Sequence, residues 1–128
     1  LWGLRGEVDD QAPATLGRAR VSRRGSALTL VSWSAAVHQV AAAAEALASD
    51  GIEASVIDLG SLWPWDRETV LADAARTGRL LVVHEAVQAG GFGAEVAAVA
   101  AQHTGCQVAR LGAPRVPVGY APVLEAQA

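Results

Sequence analysis

Hydrophobic residues fall into short runs that alternate with amphipathic segments. The run Leu80–Val83 has no polar interruption, which is typical of a strand buried on both faces of a parallel sheet. From about Ala35 to Ser49 the apolar residues instead recur at helical spacing. The whole pattern predicts the order strand, strand, helix, strand, helix, strand, helix, strand. The predicted strands are 18–22, 28–33, 54–59, 79–84 and 107–111, and the predicted helices are 35–49, 66–76 and 93–104.

Residues between these segments predict how the elements begin and end. Asp66 is suited to cap the second helix, and Ser34 is suited to cap the first. Gly51 and Gly78 follow helices, where a left-handed backbone favours glycine. The turn residues 23–26 between the first two strands predict a hairpin, which would make these strands antiparallel.

These elements predict a three-layer α/β/α sandwich. Right-handed crossovers give a mostly parallel sheet of about five strands, with the first strand antiparallel at an edge. Residues 1–17 lack periodicity and contain several glycines and a proline, so we expect an interdomain linker or arm there. Residues 18–128 form the predicted domain.

Composition narrows the kinds of partner that are expected. Hydrophobic residues make up 52% of the 128 residues and charged residues 18%, which favours a surface partly covered by another domain or subunit. The net charge of -3 excludes a general basic surface for nucleic acid or anionic lipid. Cys106 is the only cysteine, and no apolar run is long enough to cross a membrane, so a cytoplasmic location is expected. Because the chain begins at Leu1 and has no methionine, we expect it to be a piece of a longer protein.

The candidate chemistry lies at the end of the fourth strand. Gly90, Gly91 and Gly93 could cradle a phosphate, but their spacing matches no dinucleotide or P-loop motif, so a tight turn is favoured. His84 and Glu85 are adjacent and point to opposite faces, which favours hinge or interface contacts over an acid–base pair. We therefore predict no catalytic, cofactor-binding or metal-binding residue.

Trp63 and Trp65 flank Pro64 in a strand-to-helix loop. Two large apolar rings could cover the sheet edge within the domain or anchor a subunit interface. The sequence favours neither role over the other.

Four motifs, in order, resemble a known family. These are Leu28–Trp33, Val56–Asp66, Thr77–Ala86 and Gly90–Glu95. Together they resemble the C-terminal domain of transketolase-like thiamine diphosphate enzymes, above all the β subunit of the decarboxylating component of 2-oxo acid dehydrogenase complexes. The segment Val116–Glu125 is similar to the end of that subunit.

The resemblance implies a transketolase C-terminal fold within a bacterial α2β2 heterotetramer. The parent enzyme would oxidatively decarboxylate pyruvate, a branched-chain 2-oxo acid or a related substrate, and transfer the acyl group to lipoyl. Thiamine diphosphate and Mg²⁺ would bind outside this domain, between the α subunit and the N-terminal domain of the β subunit. The implied partners are the α subunit, a second β subunit and the lipoyl acyltransferase core.

In this interpretation the domain mediates assembly rather than chemistry. One alternative is the C-terminal domain of a transketolase or deoxyxylulose-phosphate synthase relative, and another is a stand-alone interaction or nucleotide-binding module. The missing phosphate-loop spacing disfavours nucleotide binding. The predicted interface residues are Trp63, Trp65, His84, Glu85, Gly90, Gly91, Phe92, Gly93 and Tyr120.

Overall fold

The computed structural model describes residues 15–117, 121 and 123. Within these residues the elements follow the predicted order. The strands are β1 (Arg20–Arg23), β2 (Leu28–Ser32), β3 (Ala54–Asp58), β4 (Arg79–Val87) and β5 (Gln107–Ala113), and the helices are α1 (Ala36–Ser49), α2 (Arg67–Thr77) and α3 (Gly93–Thr104).

The sheet has the strand order β1-β3-β2-β4-β5, which confirms the predicted fold class. β2 pairs in parallel with both β3 and β4, and β4 pairs in parallel with β5. β1 is antiparallel to β3 at one edge. Buried residues of β2, β3 and β4 form a core with α2 and α3 on one face of the sheet, and a smaller cluster lies beneath α1 on the other.

The predicted hairpin between the first two strands is wrong. β1 pairs with β3, with Arg20 opposite Asp58, and β2 lies on the far side of β3. The connection crosses the start of β3, because a Cβ added to Gly25 would lie 2.4 Å from the carbonyl carbon of Glu53. The Gly25 N–H also donates to Ser55 Oγ at 3.0 Å. A turn signal in the sequence predicts that the chain reverses its direction, but it does not determine which strand will pair with β1.

The helix ends follow local chemistry, with one exception. Asp66 Oδ1 accepts from the Thr69 N–H at 3.1 Å, which confirms the predicted cap of α2. Gly51 and Gly78 adopt φ values of 78° and 70°, as expected after helices. The predicted Ser34 cap is wrong, because the residue before α1 is Ala35 and no side chain caps the helix. Ser34 itself has a φ of 60°, which places it in the left-handed region.

The two faces of the sheet are covered unequally. Val108, Arg110 and Gly112 of β5 are partly buried, whereas Gln107, Ala109 and Leu111, which point to the opposite face, are exposed. The pairing of Leu81 with Ala109 and of Val83 with Leu111 places these four side chains on the face that bears α1. α1 therefore covers β2 and β3 and leaves β4 and β5 largely open on that face.

Candidate functional site

The crevice between the ends of β2 and β4 is the place where ligands or partners are expected on a sheet of this topology. α1 follows β2 on one face and α3 follows β4 on the other, so the connections change from one face of the sheet to the other between these two parallel strands. Trp33 lies directly after β2, and His84 lies in β4. Their rings stack with centroids 5.2 Å apart and an interplanar angle of 11°.

Two further rings complete an aromatic cluster formed by Trp33, Trp65, His84 and Phe92. Phe92 meets Trp33 edge-on at a centroid distance of 5.9 Å, and it meets Trp65 in the same way at 6.2 Å. Edge-to-face pairs of this kind contribute about 0.5–1.5 kcal/mol each beyond the area they bury. The cluster joins the ends of β2 and β4 to the start of α3 and to the loop before α2.

Gly91 and Gly93 of the loop leave the space that the His84 ring occupies. A Cβ on Gly91 would lie 2.7 Å from His84 Cε1 and 2.5 Å from the Val87 carbonyl oxygen. A Cβ on Gly93 would lie 2.5 Å from His84 Nε2, and one on Gly112 would lie 2.8 Å from Cε1. The predicted tight turn is present before Gly91, but the group that Gly93 meets is the buried imidazole and not a neighbouring backbone.

His84 and Glu85 do not form an acid–base pair. His84 is 3% exposed, and neither of its ring nitrogens has a hydrogen-bond partner among the described residues. Glu85 is exposed, as expected from the alternation along β4. A general base requires an oriented hydrogen bond to its proton donor, and this arrangement provides none within the described part of the chain.

The structure separates the two tryptophans of the loop. Trp65 is 7% exposed and packs inside the domain, with the Arg67 guanidinium 5.9 Å from its ring centroid. Trp63 is 84% exposed. Trp65 thus serves the covering role that the sequence allowed, and an interface role for Trp63 stays a prediction.

The loop that carries Trp63 is held at both ends. Ser61 Oγ donates to the Pro64 carbonyl oxygen at 2.6 Å and accepts from the Gly17 N–H at 2.9 Å. Asp66 Oδ2 accepts from the Ala19 N–H at 2.9 Å. Burial would raise the pKa of the Asp66 carboxyl, but hydrogen bonds from Ala19 and Thr69 outweigh it and hold the pKa below the ordinary value of 3.8. The exposed indole is therefore presented from a fixed backbone.

A second buried acid was not predicted from the sequence. The Asp73 carboxylate accepts from Thr29 Oγ1 at 2.8 Å and pairs with Arg24 at 2.8 Å and with Arg76 at 2.7 Å. Burial would raise the pKa of Asp73, but the hydrogen bonds from Arg76 and Thr29 lower it below 3.8. The network fastens the connection between β1 and β2 to α2, so its role is structural. The spacing of Asp73 and Arg76 by three residues along α2 is the only sequence signal that could have indicated this network.

Of the remaining predicted interface residues, Gly90 and Phe92 lie in the loop after β4, and one lies outside the residues that the structure describes. Gly90 is exposed with a φ of 79°, and Phe92 is half-buried. Tyr120 lies outside the described residues.

No group of three or more His, Cys, Asp or Glu side chains that could hold a metal ion occurs in the described part of the chain. None of the described helices is both long and apolar enough to cross a membrane.

The fold and the site define a three-layer α/β/α domain in which packed aromatic side chains lie at the ends of β2 and β4. The chain belongs to the transketolase C-terminal domain family, since the model of the family described as "Transketolase, C-terminal domain" matches residues 17–128.

Several curated proteins are similar in sequence to this chain. The chain is 36% identical over 128 residues to the 2-oxoisovalerate dehydrogenase subunit beta of Bacillus subtilis, covering 95% of this chain and 39% of the relative. It is 37% identical over 130 residues to the acetoin:2,6-dichlorophenolindophenol oxidoreductase subunit beta of Cupriavidus necator, covering 98% and 38%. It is 39% identical over 90 residues to the pyruvate dehydrogenase E1 component subunit beta of Bacillus subtilis, covering 70% and 28%.

A solved structure shows the same architecture. The split gene transketolase described as an inactive beta4 tetramer superposes with a TM-score of 0.81 at 30% sequence identity, covering 89% of this chain and 38% of that one. The chain thus spans about two fifths or less of the relatives and the structure that it matches.

Proposed function

We propose that this chain is the C-terminal assembly domain of the β subunit of a thiamine diphosphate-dependent 2-oxo acid dehydrogenase. The parent enzyme would oxidatively decarboxylate a 2-oxo acid and transfer the acyl group to lipoyl. Two of the relatives above are named as β subunits of 2-oxoisovalerate and pyruvate dehydrogenases, and the family match over residues 17–128 supports the same place for this chain.

The proposed role of the domain is subunit association. The observation that carries it is the exposure of Trp63, which is 84% exposed on a loop held by hydrogen bonds to Gly17 and Pro64. Exposed tryptophan on a fixed backbone suits an interface, because little conformational entropy is lost on binding and a large apolar area is buried. Glu85 and Gly90 are exposed at the end of β4 and in the loop after it, so the proposal keeps both as interface residues.

The proposal places thiamine diphosphate and Mg²⁺ outside this domain, between the α subunit and the N-terminal domain of the β subunit. Mg²⁺ prefers carboxylate and phosphate oxygens. The two buried carboxylates of the described residues, Asp66 and Asp73, are already engaged by backbone, hydroxyl and guanidinium donors. When bound elsewhere in the parent enzyme, the cofactor would supply the carbanion chemistry of decarboxylation, and this domain would hold subunits in place.

The proposed partners are the α subunit, a second β subunit and the lipoyl acyltransferase core, within a cytoplasmic α2β2 enzyme. A second candidate is the corresponding domain of a transketolase, which the superposition on the split gene transketolase favours. Association with a dehydrogenase α subunit would distinguish the two, because a transketolase domain would not be expected to bind it.

Analytical ultracentrifugation tests the proposal. The whole chain is sedimented alone and with a separately expressed α subunit, beside Trp63→Ala and a control, Ile52→Ala, which removes a side chain that is 39% exposed before the start of β3. We expect a dimer or a complex that Trp63→Ala weakens by about 30-fold, the effect of losing an interface residue worth 2 kcal/mol. Ile52→Ala should leave the association unchanged. A folded monomer that ignores the α subunit would contradict the assembly role.

A further inference from the structure

A polar groove lies between α2 and the edge strand β1. Its volume is about 320 Å³, and Arg18 and Arg24, which lie just before and just after β1, line one side of it. The other side is one face of α2, because its lining residues are three, four and seven positions apart. These residues are Thr69, Ala72, Asp73 and Arg76. The groove therefore brings together guanidinium groups from three separate segments of the chain.

One end of the groove holds two guanidinium groups side by side. Asp73 Oδ1 accepts from Arg24 Nη1 at 2.8 Å and from Arg76 Nη2 at 2.7 Å. The side chain of Asp73 is only 1% exposed, whereas those of Arg24 and Arg76 are 67% and 43% exposed. A guanidinium carries five N–H donors, so the buried carboxylate holds both groups in place and leaves each with donors for a further anion.

The other end of the groove carries Arg18. The next residue, Ala19, donates its N–H to Asp66 at the start of α2 at 2.9 Å, so Arg18 lies near that end of the helix. From Thr69 to Arg76 the helix rises by about 10 Å, which separates Arg18 from the arginine pair.

The lining carries an excess of positive charge. Three arginines face two acidic residues, Asp73 and Glu68, and Glu68 is exposed, so water and salt screen its charge. The chain as a whole has a net charge of -3, so this groove departs in sign from the rest of the molecule. An anion is therefore the ligand that its charge favours.

Phosphoryl groups match this arrangement better than a carboxylate does. A carboxylate has two oxygens, which a single guanidinium can engage through two parallel hydrogen bonds. A terminal phosphoryl group offers three oxygens and more negative charge, so it can accept from two guanidiniums at once. A second phosphoryl group linked to the first would extend the anion along the groove towards Arg18.

We propose that this groove binds two linked phosphoryl groups, either as free pyrophosphate or as the terminal groups of a nucleotide. One phosphoryl group lies between Arg24 and Arg76, and the other contacts Arg18. Asp73 acts as a positioning residue for the arginine pair. The inference does not depend on the proposed assembly role, since none of these residues is among the predicted interface residues.

Isothermal titration calorimetry of the whole chain with orthophosphate and with pyrophosphate, at constant ionic strength, tests the proposal. We expect pyrophosphate to bind about tenfold more tightly, because only pyrophosphate extends from the arginine pair to Arg18. Arg18→Gln should weaken pyrophosphate binding about tenfold and leave orthophosphate binding within about twofold of wild type. The matched control is Arg20→Gln, which removes an arginine that is 74% exposed and does not line the groove, and it should change neither affinity.

Glu68→Gln gives a readout that a purely structural role of the arginines would not change. It removes a negative charge from the lining, so it should tighten the binding of both anions about threefold. Arg24→Gln should weaken both anions about tenfold, with circular dichroism as the check on its folding. If that variant does not fold, Arg18→Gln and Glu68→Gln still decide the question.

Adenosine diphosphate distinguishes the two sources of the ligand. Tighter binding of adenosine diphosphate than of pyrophosphate would support a nucleotide, and the reverse order would support the free anion. Wild-type protein that binds pyrophosphate no more tightly than orthophosphate would overturn the proposal. Equal losses of pyrophosphate affinity in Arg18→Gln and Arg20→Gln would overturn it as well, because they would show that only the overall charge of the chain matters.

Discussion

Replacing Gly93 with alanine should destabilise the domain, although alanine is the better helix former. Gly93 is the first residue of α3, and the added Cβ would lie 2.5 Å from both Cδ2 and Nε2 of His84. Carbon atoms in contact are ordinarily about 3.5–4.0 Å apart, so one of the two groups must move by about 1 Å. The ring has little room to move, because Trp33 stacks on it and the backbones of Gly91 and Gly112 meet its edge.

The expected magnitude follows from two opposing effects. Forcing an extra methyl group into a packed site costs about 1–3 kcal/mol. Alanine gains up to about 1 kcal/mol over glycine inside a helix, and Gly93 is at the helix start, so only part of this gain applies. We therefore expect a net loss of about 1–2 kcal/mol in the free energy of unfolding. In a domain of this size that corresponds to a decrease in Tm of about 4–8 °C.

A double-mutant cycle isolates the contact with the ring. Urea denaturation is measured for wild type, Gly93→Ala, His84→Ala and the double variant. His84→Ala removes the ring and opens the space, so Gly93→Ala should become neutral or slightly stabilising in that background. An equal loss in both backgrounds would refute the reasoning, because it would mean that something other than the imidazole limits the space at Gly93.

The two buried carboxylates give the remaining predictions. Asp66→Ala removes the cap of α2 and the acceptor for the Ala19 N–H. It should therefore lower the free energy of unfolding, measured by urea denaturation, by about 1–2 kcal/mol. A loss under about 0.5 kcal/mol would contradict this expectation. Asp73→Asn weakens the bonds to Arg24, Arg76 and Thr29, and we expect a loss of about 2–3 kcal/mol, at the low end for a buried ion pair because both arginines are partly exposed. Both carboxyls have a folded pKa below their ordinary value of 3.8, so their stabilisation is complete above pH 3.8 and is lost as the pH falls through the folded pKa. Denaturation between pH 2 and 7 should show a shallower acid limb for Asp73→Asn than for wild type, and parallel curves would count against this origin.

Most of the fold could be predicted because its signals are local. The apolar run Leu80–Val83, the cap at Asp66 and the left-handed glycine at Gly78 each act within a few residues, and each was placed correctly. The strand order could not be predicted in full. Gly25 fits a hairpin turn and fits equally well a connection that crosses β3. The choice between the two depends on contacts with Glu53, which is nearly 30 residues away in the sequence.

The candidate site was located from the sequence, but its internal contacts were not predicted. The glycine loop and His84 were identified together because they are neighbours in the chain. Gly112 belongs to another strand, and nothing in its own surroundings indicates that it meets the His84 ring. The same holds for Asp73, whose partner Thr29 lies 44 residues away. Contacts of this kind follow from topology, and a single sequence carries no local signal for them.

The scarcity of charged residues in the chain is evident on α1 and on the surface beside it. Glu45 is the only Asp, Glu, Lys or Arg in α1, and alanines such as Ala42 and Ala43 occupy the exposed side of the helix, where a solvated helix usually carries charge. The open halves of β4 and β5 continue that apolar surface as far as Leu111. Trp63 belongs to the loop that leads into α2, and α2 lies on the opposite face of the sheet. One contact cannot cover both surfaces, so the assembly role proposed above would require neighbours on two sides of the domain.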